Sequence, residues 1–274
     1  MINFLELCER NQDRLLSQFG ELLNGANSRT RKTLVEFAEA IKAKGRIGVN
    51  MRPMVLLDFL ISDRWFNIHQ WAKKTSARGG KPVEVILREK LRDYFDRRMA
   101  FDGFFESGLE FRYGALNIGG LGAHCFGEYC AILQKEAHRS CRVGYLKGDS
   151  LNHYMAAGPK VDDGRLRVEC AADGQKDMLL ALKHASEVAA KPPDQWPDMI
   201  CNADCYAEAI VVEGHVKAGH LSCIRIGKVD FALYWDYAFR EFSGRLSELD
   251  RYRVDAFAAI DERLQLLGVS WETV

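Results

Sequence analysis

The chain carries no excess charge of either sign and no long apolar run. Its 274 residues include 38 Lys and Arg and 38 Asp and Glu, so the formal net charge is zero. No global basic field is available to attract nucleic acid or a membrane surface. No stretch reaches the about 18 consecutive apolar residues that indicate a transmembrane helix. The N-terminal residues MINFLELCERNQDRLLSQF mix charges with apolar side chains, unlike a signal peptide. We expect a cytoplasmic protein with no membrane partner.

Several motifs are also missing. The sequence has no internal repeat and no low-complexity block. The glycine-rich stretch GGLGAH at 119–124 lacks the strand, Gly-x-Gly-x-x-Gly and helix context of a Rossmann site. The eight cysteines are dispersed along the chain, which is typical of reduced thiols that pack as small hydrophobic side chains.

Two cysteine-based sites are weaker alternatives. Cys201 and Cys205 have a spacing that zinc ligands can adopt, and three later side chains could complete the site. The segment is mostly predicted strand, however, and zinc sites on strands usually use a C-x-x-C knuckle instead. The later side chains are His215, His220 and Cys223. A thiol nucleophile would pair Cys125 or Cys130 with His124, His215 or His220, yet nothing in the sequence activates one thiol over the others. We therefore predict no metal site and no catalytic cysteine.

Hydrophobic periodicity predicts an α+β protein. The predicted helices cover 3–24, 29–43, 53–62, 83–101, 177–190 and 247–268. The predicted strands cover 46–51, 111–118, 126–133, 141–146, 206–212, 222–226 and 230–237. Composition predicts a loop at 73–82 and a loop or hairpin at 158–176. We divide the chain into an N-terminal helical segment (1–44), a mixed core (45–230) and a C-terminal helical segment (231–274).

The stretch YAEAIVV at 206–212 places a carboxylate inside a buried strand. Period two puts Glu208 on the same face as Ile210 and Val212, with Ala207, Ala209 and Val211 on the other. A buried carboxylate costs several kcal/mol unless it is paired or hydrogen-bonded. Glu208 is therefore either a strand-end carboxylate that reaches solvent or an arginine, or a carboxylate that faces a cleft.

Five segments span about residues 45–215 in the order KGRIGVNMRP, FRYGALNIGG, HCFGEYC, RVGYLKGDS and YAEAIVVEG. Their series resembles that of an uncharacterised bacterial family, catalogued as a domain of unknown function. The first and last also resemble ADP-ribosyltransferase toxins, and the last is similar to the end of DNA-targeting members. The resemblance implies an ADP-ribosyltransferase-like core with a split mixed β-sheet and helical flanks.

The resemblance also implies roles for individual residues. Glu208 would be the catalytic carboxylate, beside the ribose of NAD as nicotinamide departs. Arg52, with Asn50 on the same strand face, would hold the NAD phosphates and ribose. Tyr113 would stack on nicotinamide, with Tyr206 or Tyr129 as substitutes, and Gly114 would let the cofactor approach the backbone.

The sequence departs from these patterns in three places. Arg52 stands where the uncharacterised family usually has histidine. Cys130 is one position beyond the Phe-Gly-x-Cys spacing. Position 206 is Tyr, so the Glu-x-Glu or Gln-x-Glu pair of arginine-directed enzymes is absent. Arginine modification is therefore disfavoured, and the macromolecular acceptor is either nucleic acid or protein.

The resemblance implies a bacterial toxin or antiphage effector that uses NAD as substrate and needs a neutralising antitoxin or immunity protein. Two alternatives stay open at this point. One is an NAD glycohydrolase, in which water takes the ribosyl group. The other is an inactive binding module on the same fold.

Overall fold

The computed structural model describes residues 1–137, 141–155, 158–242 and 246–274. Its strands are β1 (Arg46–Met51), β2 (Arg112–Asn117), β3 (Tyr129–Leu133), β4 (Val143–Leu146), β5 (Cys170–Ala172), β6 (Glu208–Val211), β7 (Leu221–Ile226) and β8 (Ser270–Thr273). These strands form one mixed sheet in the order β5-β4-β6-β2-β1-β3-β7-β8. Only β7 and β8 are parallel among the described pairs.

Helices before the second strand build the N-terminal third. They are α1 (Phe4–Arg10), α2 (Gln12–Gly25), α3 (Ser28–Lys44), α4 (Pro53–Ser62), α5 (Ile68–Gly79), α6 (Val83–Leu91) and α7 (Phe95–Phe104). The later helices are α8 (Asp163–Leu166), α9 (Lys176–Lys183), α10 (Ala185–Val188), α11 (Trp196–Ile200), α12 (Lys228–Phe242) and α13 (Glu248–Leu267). Within the described ranges, no helix combines the length and apolar composition that crossing a bilayer requires.

The α+β class is confirmed. The split of the sheet that the resemblance implies is not seen in the described part of the chain, because one continuous hydrogen-bonded ladder joins all eight strands. The flanking segments share the core of the central one. Leu34 and Phe37 from α3 and Ile260 from α13 belong to the same buried cluster as Ile47 on β1, and β8 extends the sheet from the C-terminal segment.

The sheet positions the candidate carboxylate as its sequence period predicts. Ala207, Ala209 and Val211 belong to the larger core cluster on one face of β6. Ile210 and Val212 belong to a second cluster on the opposite face. The prediction that these two sets of residues lie on opposite faces of β6 is therefore confirmed.

Several element predictions were wrong, for identifiable physical reasons. The helix predicted over 3–24 is two helices, because Asn11 leaves the helix and its side chain donates to Val168 O and Cys170 O at 3.2 and 2.6 Å. The stretch predicted as a loop over 73–82 is helical as far as Gly79. Within this helix, Lys74 Nζ pairs with Asp58 Oδ1 at 3.0 Å.

The strand predicted over 230–237 is also wrong, since this stretch lies in α12. Phe231 and Tyr234 are three positions apart, a spacing that places both side chains on one face of a helix. Tyr234 stacks on Phe257 with ring centroids 4.4 Å apart, and Phe231 lies 6.1 Å from Trp271. The region predicted as loop or hairpin at 158–176 instead contains α8 and β5, and β8 was not predicted at all.

Candidate functional site

Glu208 opens β6 near the middle of the sheet. It pairs with Leu146 on β4 and with Ala115 on β2, and Ala115 in turn pairs with Gly48 on β1. Gly48, Ala115 and Glu208 therefore form one row across three strands. The two small residues leave space beside the carboxylate, and Glu208 is only 4% exposed.

A cleft of about 540 Å³ lies above this row. The α6–α7 region covers one side, and segments 118–128 and 147–155 cover the others. Glu208 lines this cleft together with Tyr113, Tyr206 and Asp149, and Arg52 lines it as well. Glu208 thus faces a cleft, which is the second of the two positions that the sequence left open for this carboxylate.

The Glu208 carboxylate is desolvated and held by the backbone. The Ser150 N–H donates to Glu208 Oε2 at 2.9 Å. Burial, followed by the nearby Asp149, raises the pKa of Glu208 to about 8, and the Arg98 charge and the Ser150 hydrogen bonds oppose that rise. Most of the carboxyl is therefore protonated at neutral pH.

Arg98 on α7 is the buried cation of the site. It donates to Asp102 Oδ1 at 3.3 Å and to Ser150 Oγ at 3.2 Å. Its guanidinium lies 3.8 Å from the Tyr113 ring centroid. Burial lowers the pKa of Arg98, but the neighbouring Tyr113, Asp102 and Glu208 outweigh that effect and raise it. Arg98 therefore stays charged.

Asp102 joins Arg98 to a wider buried network. Its Oδ1 also accepts from the Tyr113 hydroxyl, and its Oδ2 lies 2.6 Å from His69 Nε2. Asp102 is 1% exposed, so the carboxylate at the centre of this network is shielded from water. Such a network holds the α7 side chains in one geometry against the sheet.

Two of the three tyrosines predicted for nicotinamide, Tyr113 and Tyr206, line the cleft, and both already contact other side chains. One ring face of Tyr113 lies against Arg98, and burial raises the pKa of its hydroxyl. The Tyr206 hydroxyl donates to Asp149 Oδ2, while its ring meets Phe126 edge-on with centroids 6.0 Å apart. Tyr129, the other substitute, packs in the core on the opposite face and stacks on Tyr234.

Asn50 and Gly114 both line the cleft, and each has a structural role there. The Asn50 side-chain amide donates to Leu121 O and Gly127 O at 3.0 Å each, so it fixes the loop between β2 and β3. At Gly114, a Cβ would lie 2.8 Å from Ile47 Cγ2 and 3.0 Å from Gly48 O. Glycine is thus required there by close packing of β1 against β2.

Arg52 lies at the mouth of the cleft, where α4 begins. Its backbone is extended and Pro53 follows at the first helical position. The side chain is exposed, and no hydrogen bond or ion pair to it occurs in the described part of the chain. Lys90, at the end of α6, lines the same cleft. Neither cation forms an ion pair with a described residue, so both can meet an anionic group without breaking one.

The cysteine alternatives gain no support from the geometry. Burial raises the pKa of Cys130 to about 12 and also raises that of Cys125, and the thiolate is the nucleophilic form. Among residues 1–137, 141–155, 158–242 and 246–274, no three His, Cys, Asp or Glu side chains converge as a metal site.

Sequence reasoning missed the residues that set the properties of Glu208. Arg98 and Asp102 are four apart on α7, a spacing that is common on solvated helices and therefore carries no functional signal. Asp149 and Ser150 lie in the turn after β4, where Asp149 Oδ1 accepts from Leu151 N and Asn152 N at 3.0 and 2.6 Å.

The site combines a desolvated carboxyl, two tyrosines and a mouth with unpaired cations. This arrangement can stabilise a developing positive charge at its deep end and hold an anion at its entrance. No protein-family model matches the sequence, and the search of curated proteins also returned no match. Function must therefore be inferred from the chemistry of the cleft.

Proposed function

We propose that the protein is an NAD-dependent mono-ADP-ribosyltransferase with an ADP-ribosyltransferase-like core. The observation that supports this most is the position of Glu208, a buried carboxyl on a central strand that opens into a cleft between two tyrosines. The order of the five sequence segments adds to it. The acceptor is nucleic acid or protein, and the consumption of NAD implies a cytoplasmic toxin or antiphage effector with a neutralising partner.

Glu208 would act on the bond between nicotinamide and ribose. When that bond breaks, its electron pair leaves with the nicotinamide nitrogen, and positive charge develops on the ribose. An ionised Glu208 beside the sugar stabilises this charge more than the ground state. The acceptor atom then bonds to the ribose carbon and releases a proton.

The raised pKa of Glu208 fits a site that binds a cation. The nicotinamide ring of NAD is positively charged, and an opposite charge nearby favours the ionised carboxylate. Bound NAD would therefore lower the pKa of Glu208 from its value of about 8. Substrate binding and carboxylate ionisation would then support each other.

The remaining predicted contacts follow from the shape of the cleft. Tyr206 or Tyr113 would pack on nicotinamide at the deep end. Arg52 would hold the pyrophosphate at the mouth, since a guanidinium forms paired hydrogen bonds to anionic oxygens. Asn50 and Gly114 would contribute mainly by shaping the wall of the cleft. The Asn50 amide is already hydrogen-bonded to the loop between β2 and β3, and Gly114 allows β1 and β2 to pack closely.

A binding module is the second candidate, and one observation favours it. With a pKa of about 8, Glu208 is mostly neutral at pH 7 unless a cation binds, and a neutral carboxyl stabilises no oxocarbenium-like state. NAD hydrolysis is a variant of the first proposal in which water replaces the acceptor.

Incubation with NAD labelled on adenine separates these functions. Label on DNA, RNA or protein supports transfer, and free nicotinamide without labelled polymer supports hydrolysis. We expect Glu208→Gln to abolish both products, and Glu213→Gln to keep them, because Glu213 is an exposed carboxylate just beyond the same strand. NAD binding without either product would establish a module, and full activity in Glu208→Gln would remove Glu208 from catalysis.

A further inference from the structure

A basic groove continues outward from the mouth of the Glu208 cleft. Lys90 lines the cleft and also three adjoining depressions between α4, α5 and α6. Arg52 and Val55 each line two of these spaces, so the depressions are contiguous. The term basic groove is used here for the surface around Arg52, Arg64, Arg78, Lys90 and Arg92.

The groove has a local charge excess in a chain whose formal net charge is zero. Seven Lys and Arg side chains line the three depressions, against three acidic ones. Two of the acids are already paired, Asp58 with Lys74 at 3.0 Å and Glu89 with Lys81 at 2.7 Å. The surplus positive charge is therefore available to a ligand.

The five defining cations make no side-chain ion pair with the residues described. Arg64 is the most informative, because its Nε is buried and has no hydrogen-bond acceptor in the described structure. A buried guanidinium nitrogen without an acceptor is costly. Arg64 also lines the groove, where an anionic oxygen would meet the other nitrogens of the same guanidinium.

Aromatic side chains alternate with these cations. Phe66 lies under Lys74 Nζ at 4.5 Å and under Arg64 at 5.3 Å, and Trp71 lies 5.4 Å from Lys90 Nζ. Tyr94 is 46% exposed where the groove meets the cleft. Alternating cations and aromatic rings suit a flexible chain of phosphates and bases, because the rings stack on bases while the cations hold phosphates.

We propose that the basic groove binds single-stranded nucleic acid and delivers it to the Glu208 cleft. The proposal rests on the proposed function in naming the acceptor class, but binding itself requires no NAD. A duplex is disfavoured because its bases are stacked internally and are not free to meet Phe66, Trp71 or Tyr94. An acidic peptide would satisfy the cations but would leave the aromatic rings without stacking partners.

The test is fluorescence anisotropy without NAD, using fluorescein-labelled 20-nucleotide oligothymidylate and oligouridylate. We expect binding that weakens with salt, with a slope of about −3 in log K against log salt if about four phosphates are contacted. The triple variant Arg64→Gln, Arg78→Gln, Lys90→Gln should bind at least tenfold more weakly and lose about 2 from that slope. Trp71→Leu should weaken binding about tenfold with little change in slope.

A matched triple variant on α3 controls for total charge. Arg29→Gln, Lys42→Gln, Lys44→Gln removes the same three charges from exposed positions outside the groove and should bind normally. Glu208→Gln should also bind normally, so a failure of catalysis is distinguishable from a failure of binding. Thermal unfolding of every variant confirms that it is folded.

Three outcomes would overturn the proposal. The first is the absence of oligonucleotide binding, or an equal loss of oligonucleotide affinity in the groove variant and the α3 variant. The second is tighter binding to a duplex of the same length than to either single strand. The third is displacement of the oligonucleotide by polyglutamate of equal charge as effectively as by unlabelled oligonucleotide, which would assign the groove to acidic proteins.

Discussion

The Ser150 backbone N–H donates to Glu208 Oε2 at 2.9 Å. The Ser150 hydroxyl accepts from Arg98 at 3.2 Å. One residue of the turn after β4 therefore joins the buried carboxyl of β6 to the buried cation of α7. This connection couples the protonation of Glu208 to the geometry of the cleft.

The activity should depend on pH through Glu208. Its pKa is raised to about 8, and only the ionised carboxylate stabilises a cationic sugar. We expect log kcat/KM for nicotinamide release to rise by about 1 per pH unit below pH about 8 and to level off above it. Steady-state kinetics from pH 6 to 9, corrected for NAD breakdown without protein, measures this. A flat or falling profile would contradict the role of Glu208.

The stability should change with pH in the opposite direction. The native state holds a proton on Glu208 up to about pH 8, whereas the unfolded state releases it near the ordinary value of 4.5. The free energy of unfolding therefore receives a contribution that is full below about pH 4.5 and is lost as pH rises to about 8, by at most about 1.4 kcal/mol per pH unit.

Denaturant unfolding of wild type and Glu208→Gln at several pH values measures that contribution. Glutamine imitates the protonated carboxyl, so the variant should gain stability relative to wild type as pH rises from 5 to 8. The same dependence on pH in both proteins would show that Glu208 is not the group responsible.

Arg52→Ala should weaken NAD binding. Arg52 is exposed at the cleft mouth and has no partner in the described structure, so its loss leaves no buried charge unpaired. A charge-assisted hydrogen bond contributes about 1.5–3 kcal/mol, which predicts a KM raised at least about tenfold with kcat little changed. Lys44→Ala on α3 is the control. An unchanged KM in Arg52→Ala would remove this residue from the site.

Gly114→Ala should destabilise the fold. The new methyl carbon would lie 2.8 Å from Ile47 Cγ2 and 3.0 Å from Gly48 O, in the contact between β1 and β2. Overpacking of this kind costs about 1–3 kcal/mol. Chemical denaturation measures the loss against Gly20→Ala, which adds a methyl group within α2 where no atom lies within 4 Å. Equal stability of Gly114→Ala and wild type would refute the packing argument.

Local patterns were enough to predict much of the sheet. Strand β1 has the predicted bounds, and β2, β3, β4, β6 and β7 each lie within a predicted strand or one residue from it. The predictions failed where a tertiary contact replaced the local preference. Asn11 interrupts a helix because its side-chain amide donates to the carbonyl oxygens of Val168 and Cys170, which are 157 and 159 residues away in sequence.

The candidate site shows the same division. The period of β6 was enough to place Glu208 on the face of Ile210 and Val212, because alternation along a strand is a local property. The ionisation of Glu208 depends on Asp149, Ser150 and Arg98, which come from a turn and a helix distant in sequence. The sequence alone determined that a strand would carry a carboxylate on the same face as Ile210 and Val212. Only the tertiary structure decided that the carboxylate meets a cleft and a buried arginine, because packing brings those groups together.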